Sequence, residues 1–594
     1  MVVRLLGAPE IESGGAIVDG PRGRKVWALI AYLVLAEQRV PRSRLAALMF
    51  EGADDPLGAL RWALSQVRRT LGLAGVLRGD PLKLELPSSV QVDLLSLLDG
   101  SADPGLVRGE LLEGTDPDAG EAFNAWLLVE RRRLAGVCEG VLRNAALATL
   151  AAGVPLEGAG LASRALSLNP FDESLHELLV RCLARAGQFG AARHQASACE
   201  VLFRRELGRS PDPRVRRAAE EDEPAGLPPS GDRSAAIGQL EAGMAALASG
   251  AAEPGVACMR MACAEARACG DPQLVASALT ELGSALVHAV RGRDEEGAAL
   301  LHESLAISEQ TGDREMVGRV CRELGYIDVQ AGRGTSAGRW LERSTQLAIT
   351  DRERAAVLGV RGMALSDRAH YVSAVALLSE SVSTAERCGA IRQTAWSLAL
   401  LGRTLLLRGD LSAATAALDR SLDLAEQDRW VAFRPLPEAL RGEVALMYGE
   451  FEQAEELLHG AFALGCRIGD PCWEAFAARA IGLLHAARGE IAAALESLRD
   501  ATRRAVRVCD PYLWVHAHSL DALAGVAVRF EAEDAAALVA DLEQIAARSD
   551  MRELIVRAAL HRAALGDPAG VEAVRPLAET IDSPALRAAL AALV

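Results

Sequence analysis

The sequence predicts a mainly α-helical protein, with a small α+β unit at its N-terminus and a long series of helical repeats behind it. Three observations carry this prediction. Ala, Leu and Arg dominate the 594 residues, and these residue types have high helix propensity. The first 20 residues divide into short apolar runs around a Gly14-Gly15 turn, which is typical of strands. Two series of glycines recur at about 40 residues in the second half of the chain, which indicates repeated units.

The first 98 residues are expected to form strands, then three helices, then a hairpin. The apolar run Val26–Ala36 is too short to span a bilayer and suits a buried helix. Pro41 and Ser43 open a second helix, with Ser43 as its N-cap. This order of elements is that of a winged helix-turn-helix. The expected elements are strands at Val2–Leu6, Ile11–Ser13 and Ala16–Val18, helices at Arg24–Ala36, Arg44–Phe50 and Asp54–Leu71, and a hairpin of Leu82–Leu86 with Val90–Val92.

The third predicted helix is amphipathic, with an apolar back and an arginine-bearing front. Its leucines and valine recur at i, i+4, i+7 and i+11, which places them on one stripe facing a core. The stripe consists of Leu60, Leu64, Val67 and Leu71, and the side chains that fall outside it are Arg61, Ser65, Arg68 and Arg69. Such a front is either a solvated helical face or a surface for an anionic partner. A helix of this width fits the DNA major groove, where Arg reads a guanine edge.

The charge of the chain is unevenly distributed. The whole chain carries a formal charge of −16, yet residues 21–78 hold 10 basic and 4 acidic side chains. An acidic body therefore carries a basic N-terminal unit, as expected of a protein that binds nucleic acid at one place and repels it elsewhere.

Several segments, in the same order, resemble one bacterial family. RKVWALIAYLVLAEQRVPRSRLAALMF and ALRWALSQVRRTLG are similar to the DNA-binding domain of the antibiotic-type regulatory proteins of actinomycetes, the SARP family. GEAFNAWLLVERRRL, ALSLNPFDESLHELLVRCLARAGQ and RRELGRSPDP resemble the bacterial transcriptional activation domain that follows it in that family. The resemblance runs from Val2 to about Arg217. It implies an OmpR/PhoB-like winged helix at 1–98 and a helical activation domain at 99–219.

The resemblance also implies how the N-terminal unit would contact DNA. Its third helix would enter the major groove, and its wing would approach the backbone or the minor groove. The candidates are Arg61, Trp62, Ser65 and Gln66 for base edges, Arg68 and Arg69 for phosphates, and Arg42, Ser43, Arg44 and Lys83 for positioning the duplex through its backbone.

Residues 220–234 are expected to be a linker, and residues 235–594 a repeat array with a C-terminal cap. Each repeat has the pattern helix, glycine turn, helix, similar to a tetratricopeptide array with long units. One turn glycine is missing near Ala369, and the period is lost beyond about residue 520. The turn series is Gly292, Gly332, Gly409, Gly449 and Gly489, and the helix series is Gly283, Gly325, Gly362, Gly402, Gly442 and Gly482.

Enzymatic and cofactor signals are weak, so no enzyme activity, metal or other cofactor is expected. Lysine occurs only at Lys25 and Lys83, and neither stands in the GK[ST] sequence of a phosphate-binding loop. The eleven cysteines show no CxxC spacing, which favours reduced thiols. The N-terminal residues lack the apolar core of a signal peptide, so a cytoplasmic protein without a membrane partner is expected.

We therefore predict a sequence-specific transcriptional regulator, acting as an activator. Its expected partners are double-stranded promoter DNA with direct repeats, RNA polymerase, and a protein, peptide or small-molecule effector on the concave face of the array. A homodimer is expected on DNA. The alternative is a protein-interaction scaffold whose winged helix has lost DNA affinity. Gly58, Ala59 and Trp62, which depart from the polar residues common in the family, motivate this alternative.

Overall fold

The computed structural model describes residues 1–72, 77, 79–100, 103–220, 230–248 and 251–591. Within these ranges the fold is mainly helical, with 28 α-helices and one four-stranded sheet, as the sequence predicts. Most of the expected linker at 220–234 lies outside the described residues.

The N-terminal unit (residues 1–98) contains the small sheet and the three predicted helices. Its strand order is β3-β2-β1-β4. The third helix begins at Pro56, two residues after the predicted start, because Asp55 caps it by accepting a hydrogen bond from the Gly58 N–H and Pro56 occupies the first turn. The elements are β1 (Val2–Arg4), β2 (Glu10–Ser13), β3 (Ala16–Val18), α1 (Arg24–Leu35), α2 (Arg42–Phe50), α3 (Pro56–Thr70), β4 (Gln91–Val92) and α4 (Asp93–Leu98).

The predicted terminal hairpin is wrong. Leu82 pairs instead with Val40 in an antiparallel bridge, and β4 pairs in parallel with β1. Asp93 explains the second pairing, because its buried carboxylate accepts hydrogen bonds from the backbone N–H groups of Leu5 and Leu6. Leu82 and β4 are therefore held by distant parts of the unit rather than by each other.

The middle unit is built on one long helix, α5. The first half of α5 shares a hydrophobic core with the N-terminal unit, where the rings of Tyr32 and Trp126 lie 4.7 Å apart. Among the described residues α5 alone is long and apolar enough to cross a membrane, and more than half of its apolar window is buried in this protein. The middle unit comprises a 3₁₀ turn (Pro104–Leu106), α5 (Glu121–Ala151), α6 (Pro155–Leu168), α7 (Glu173–Arg185), α8 (Phe189–Leu207) and α9 (Pro213–Arg217).

The repeat array follows as seven pairs of neighbouring helices joined by short turns. The two helices of each pair pack against each other and against the next pair, so that neighbouring pairs bury their apolar faces together. The pairs are α10 (Arg233–Ala248) with α11 (Ala252–Cys269), α12 (Pro272–His288) with α13 (Asp294–Thr311), α14 (Arg314–Gln330) with α15 (Gly334–Leu347), α16 (Asp351–Asp367) with α17 (Tyr371–Arg387), α18 (Ile391–Arg408) with α19 (Leu411–Gln427), α20 (Pro435–Tyr448) with α21 (Phe451–Ile468), and α22 (Pro471–Ala487) with α23 (Ile491–Ala505).

Both glycine series have a structural cause. In the helix series, each glycine lets a leucine of the paired helix approach closely: a Cβ at Gly402 would lie 2.6 Å from Leu418 Cγ. In the turn series, the glycines adopt positive φ between the two helices of a pair, as Gly409 does with φ 88°. Where the turn glycine is missing, Ala369 takes the same conformation, with φ 60°. The predicted period is thereby confirmed.

The last helices, which we call the C-terminal helices, fold back onto earlier parts of the chain. Helices α25 and α27 both pack against α5. Arg368, in the turn between α16 and α17, donates a hydrogen bond from Nε to Asp550 at 3.0 Å. Asp550 lies just beyond α25. The C-terminal helices are α24 (Leu513–Arg529), α25 (Ala535–Arg548), α26 (Arg552–Ala564), α27 (Ala569–Glu579) and α28 (Pro584–Ala591).

The superhelix of the array brings distant repeats into contact. Arg291, in the turn after α12, donates from Nε to an oxygen of Asp470 before α22 at 2.9 Å. The Arg291 guanidinium also lies 5.3 Å from the ring centre of Trp473. These contacts join residues about 180 positions apart, so the array curves until its second and last pairs meet beside a central groove.

Candidate nucleic-acid interface

Helix α3 has the predicted orientation. Its apolar stripe is buried against the N-terminal unit, and Leu60, Leu64 and Val67 are almost without solvent exposure. On the opposite side, 68% of the Arg61 side chain is exposed, and Trp62 is 52% exposed. The sequence period therefore gave the correct phase for this helix, and α3 presents an arginine and a tryptophan to solvent.

The candidate contact residues differ in how accessible they are. Arg61, Trp62, Arg69, Ser43 and Lys83 are exposed, and Ser65, Arg68, Arg42 and Arg44 are half-buried. Gln66 requires a correction, because it is 7% exposed. One residue beyond Ser65 on the helix, it turns toward the core and does not reach a base edge in this conformation.

Two of the candidate arginines hold the segment that follows α3. Arg68 donates to the carbonyl of Leu77 at 2.8 Å, and Arg42 Nε donates to the carbonyl of Gly79 at 3.0 Å. The backbone N–H of Arg42 also donates to Asp80. These contacts fix the segment beside the N-terminus of α2, so both arginines have a structural role in addition to the predicted contact with phosphates.

Arg44 lies at a contact with the C-terminal helices. Its Nη2 donates to the backbone carbonyl of Glu572, in α27, at 3.4 Å. Nearby, Arg552 in α26 pairs with Glu37 at the end of α1, with an N–O distance of 2.8 Å. Neither contact is predictable from local patterns, since more than 500 residues separate the partners.

The central groove of the array is a cavity with a volume of about 1860 Å³. Its walls carry Tyr326, Trp396, Trp430 and Trp473, all half-buried. Three of these rings, those of Tyr326, Trp396 and Trp473, also pack against the apolar cores of the array. No periodic signal marks these aromatics, because they come from different positions of their repeats.

A second, smaller cavity of about 620 Å³ lies where the middle unit, the array and α25 meet. Most of its charged side chains are paired, for example Arg548 with Glu139 and Arg333 with Asp328. Asp172 lines it as well, and burial, followed by the charges of Glu139 and Glu295, raises the pKa of Asp172 to about 7. Among the described residues, no group of three or more His, Cys, Asp or Glu side chains is placed to hold a metal ion.

Comparison with known families identifies the middle of the chain. Residues 104–221 match the family described as bacterial transcriptional activator domain, which confirms the resemblance predicted for this region. No curated protein matches the chain.

Solved structures with a similar arrangement of helices include three helical-repeat or regulatory proteins. A Rap protein complexed with competence and sporulation factor covers 54% of this chain and 90% of its own, at 14% identity and a TM-score of 0.43. Mycobacterium tuberculosis EmbR in complex with a low-affinity phosphopeptide covers 38% of this chain and 66% of its own, at 18% identity and a TM-score of 0.30. NprR in complex with its cognate peptide NprX covers 48% and 82%, at 13% identity and a TM-score of 0.37.

Proposed function

Starting from the bacterial transcriptional activator domain of residues 104–221, we propose that this chain is a sequence-specific DNA-binding regulator that activates transcription. The observation that carries the proposal is the position of α3. It is the third helix of a helix-turn-helix order, it buries its apolar stripe, and it exposes Arg61, Trp62 and Arg69 on a unit that is basic within an acidic protein.

In this proposal α3 enters the major groove. Arg61 donates both guanidinium branches to a guanine edge, and Trp62 contacts a thymine methyl group. Arg69 and Lys83 pair with phosphates, and Ser43 binds the backbone at the start of α2. The segment held by Arg42 and Arg68 takes the place of the wing beside the duplex.

The remaining partners follow from the other units. The domain at 99–219 contacts RNA polymerase, and two copies of the chain bind direct repeats on promoter DNA. The array of residues 235–594 receives an effector in its central groove. A volume of about 1860 Å³ exceeds that of ordinary small-molecule sites, about 300–1,000 Å³, and so favours a peptide or a protein segment over a small molecule.

The scaffold alternative keeps one observation in its favour. Arg44 is engaged by α27 and Gln66 is buried, so two of the predicted DNA contacts are not available in this conformation. A scaffold would bind a protein through the array and would show no salt-sensitive DNA binding.

The deciding experiment is a DNA-binding titration with the full chain. Fragments bound by the purified protein are first selected from the source genome, and affinity is then measured across a series of salt concentrations. For a DNA-binding regulator, log K falls by about 0.9 per tenfold rise in salt concentration for each phosphate neutralised. A scaffold gives neither an enriched fragment nor a salt slope.

A matched pair of variants assigns the contact to α3. Arg69→Ala removes one exposed arginine, and we expect it to reduce the salt slope by about 1. Arg205→Ala removes an arginine whose side chain is 75% exposed on α8, and it should leave the slope as it is. Equal slopes for the two variants would remove Arg69 from the DNA interface.

A further inference from the structure

The first turn of α2, where a DNA backbone would approach, is contacted by the C-terminal helices at Arg44. The carbonyl oxygen of Glu572 lies 3.4 Å from Arg44 Nη2. A phosphate oxygen paired with the same Nη2 edge of the guanidinium would need the same position. Helix α27 and a DNA strand therefore exclude each other at this edge of Arg44.

Charge strengthens this exclusion. The Glu572 side chain is largely exposed, and its pKa is lowered, first by a hydrogen bond from Arg575 and also by the charge of Arg44. It is therefore ionised at neutral pH. This carboxylate repels phosphates that pass next to it, and its ion pair with Arg575 offsets part of that repulsion.

A second contact holds α26 and α27 in this position. Arg552 in α26 is 3% exposed, and it donates from Nη2 both to Glu37 of the N-terminal unit at 2.8 Å and to Thr580 Oγ1 at 2.5 Å. Thr580 directly follows α27. Arg552 thus ties the end of α1 to the end of α27, and we call Glu37, Arg552, Arg44 and Glu572 the clasp.

We propose that the clasp is an autoinhibitory contact, in which the C-terminal helices withhold Arg44 from the DNA backbone until they are displaced. The proposal rests on the DNA-binding function proposed above and adds its regulation. The C-terminal helices also contact the array, for example through Arg368 and Asp550, so a change in the curvature of the array reaches the clasp through a chain of direct contacts. Coupling of this kind between two sites is typically 5- to 150-fold.

The clasp is tested with Glu37→Arg in the full chain. This change replaces the partner of Arg552 with a like charge and should displace α26 and α27 from α2. Glu85→Arg is the matched control: it also reverses an exposed glutamate of the N-terminal unit that pairs with an arginine, Arg39, but it lies outside the clasp. We expect Glu37→Arg to raise DNA affinity at least 5-fold beyond Glu85→Arg and to steepen the salt slope by about 1, since one more phosphate is bound.

A double variant shows whether Arg44 is the group released. Arg44→Ala should cost more DNA affinity in the Glu37→Arg background than in the unmodified chain, by about tenfold. An equal cost in both backgrounds, or equal affinities of the Glu37→Arg and Glu85→Arg variants, would overturn the clasp while leaving DNA binding intact. Absence of DNA binding in the unmodified chain and in all variants would instead overturn the proposed function.

A milder variant and a DNA-independent readout guard against misfolding. Glu37→Gln keeps the shape of the side chain and should give a smaller gain in the same direction. In the absence of DNA, the amides of α2 and α27 should exchange faster in the Glu37→Arg variant than in the unmodified chain. The amides of α14–α19 should exchange at the same rate in both proteins. Unaltered exchange in α2 and α27 would show that the clasp does not hold these helices and would overturn the proposal.

Discussion

Helix α5 is joined to both of its neighbours by apolar cores, but its contact with the array also contains a buried ion pair. Toward the N-terminal unit it contributes Phe123, Trp126 and Leu127 to a shared apolar core. Toward the array, its second half joins another apolar core, and Arg143, which is 2% exposed, donates from Nε to Glu295 of α13 at 2.8 Å. Apolar burial is non-directional and tolerant, whereas a buried ion pair requires both partners in place. The attachment to the array is thus expected to be the more sensitive of the two to a change of charge.

The largest effect should come from breaking the buried pair. Arg143→Ala leaves Glu295 as an unpaired buried charge, and we expect a loss of about 3–5 kcal/mol in the free energy of unfolding. The control is Arg132→Ala on the same helix, whose guanidinium is half-buried and lies 4.0 Å from Glu543; it should cost about 1 kcal/mol or less. Urea denaturation followed by circular dichroism measures both. Similar losses would mean that the array is not held by this pair.

The apolar side should respond to a loss of volume rather than of charge. Leu64→Ala leaves a cavity behind α3, and we expect a loss of about 2–5 kcal/mol, confined to the N-terminal unit. Leu57→Ala, at a half-exposed position of the same helix, should cost less than about 1 kcal/mol. Hydrogen exchange of the α3 amides reports the location of the change. Equal protection in the two variants would show that Leu64 does not anchor the helix.

The third effect builds up gradually with pH and concerns the junction with the array. The pKa of Asp172, at the junction with the array, is raised from 3.8 to about 7 in the folded protein. The contribution of Asp172 to the free energy of unfolding is therefore complete below about pH 4 and is lost as the pH rises toward 7. Asp172→Asn retains the N-cap of α7 and removes this titration. We expect the stability difference between the two proteins to change by about 1 kcal/mol per pH unit in that window. A stability difference between the two proteins that stays constant from pH 4 to 7 would contradict this prediction.

Much of the fold follows from local sequence. The spacing of Leu60, Leu64 and Val67 gave the phase of α3, because burial of a helix face imposes a period of 3.6 residues. The two glycine series predicted the repeats. One glycine of each repeat adopts positive φ in the turn, and another lets a leucine of the paired helix approach closely. Even the substitution at Ala369 was visible as a gap in the series.

What the sequence did not reveal depends on contacts between distant residues. The segment around Leu82 pairs with Val40 and the strand at Gln91 with Val2, so the apparent hairpin has other partners. The period of the array says nothing about its curvature, so the contact of Arg291 with Asp470 was not predictable. The clasp between α2 and α27 is hidden for the same reason. Gln66 is buried, although it was predicted to contact a base edge, because it stands at the border between the buried and exposed faces of α3.

The most direct test of the account is a structure of the full chain bound to a DNA fragment that it selects. The account predicts that α3 lies in the major groove with Arg61 on a base edge, and that α27 has moved away from Arg44. A complex in which α3 faces solvent, or in which DNA binds elsewhere on the chain, would contradict it.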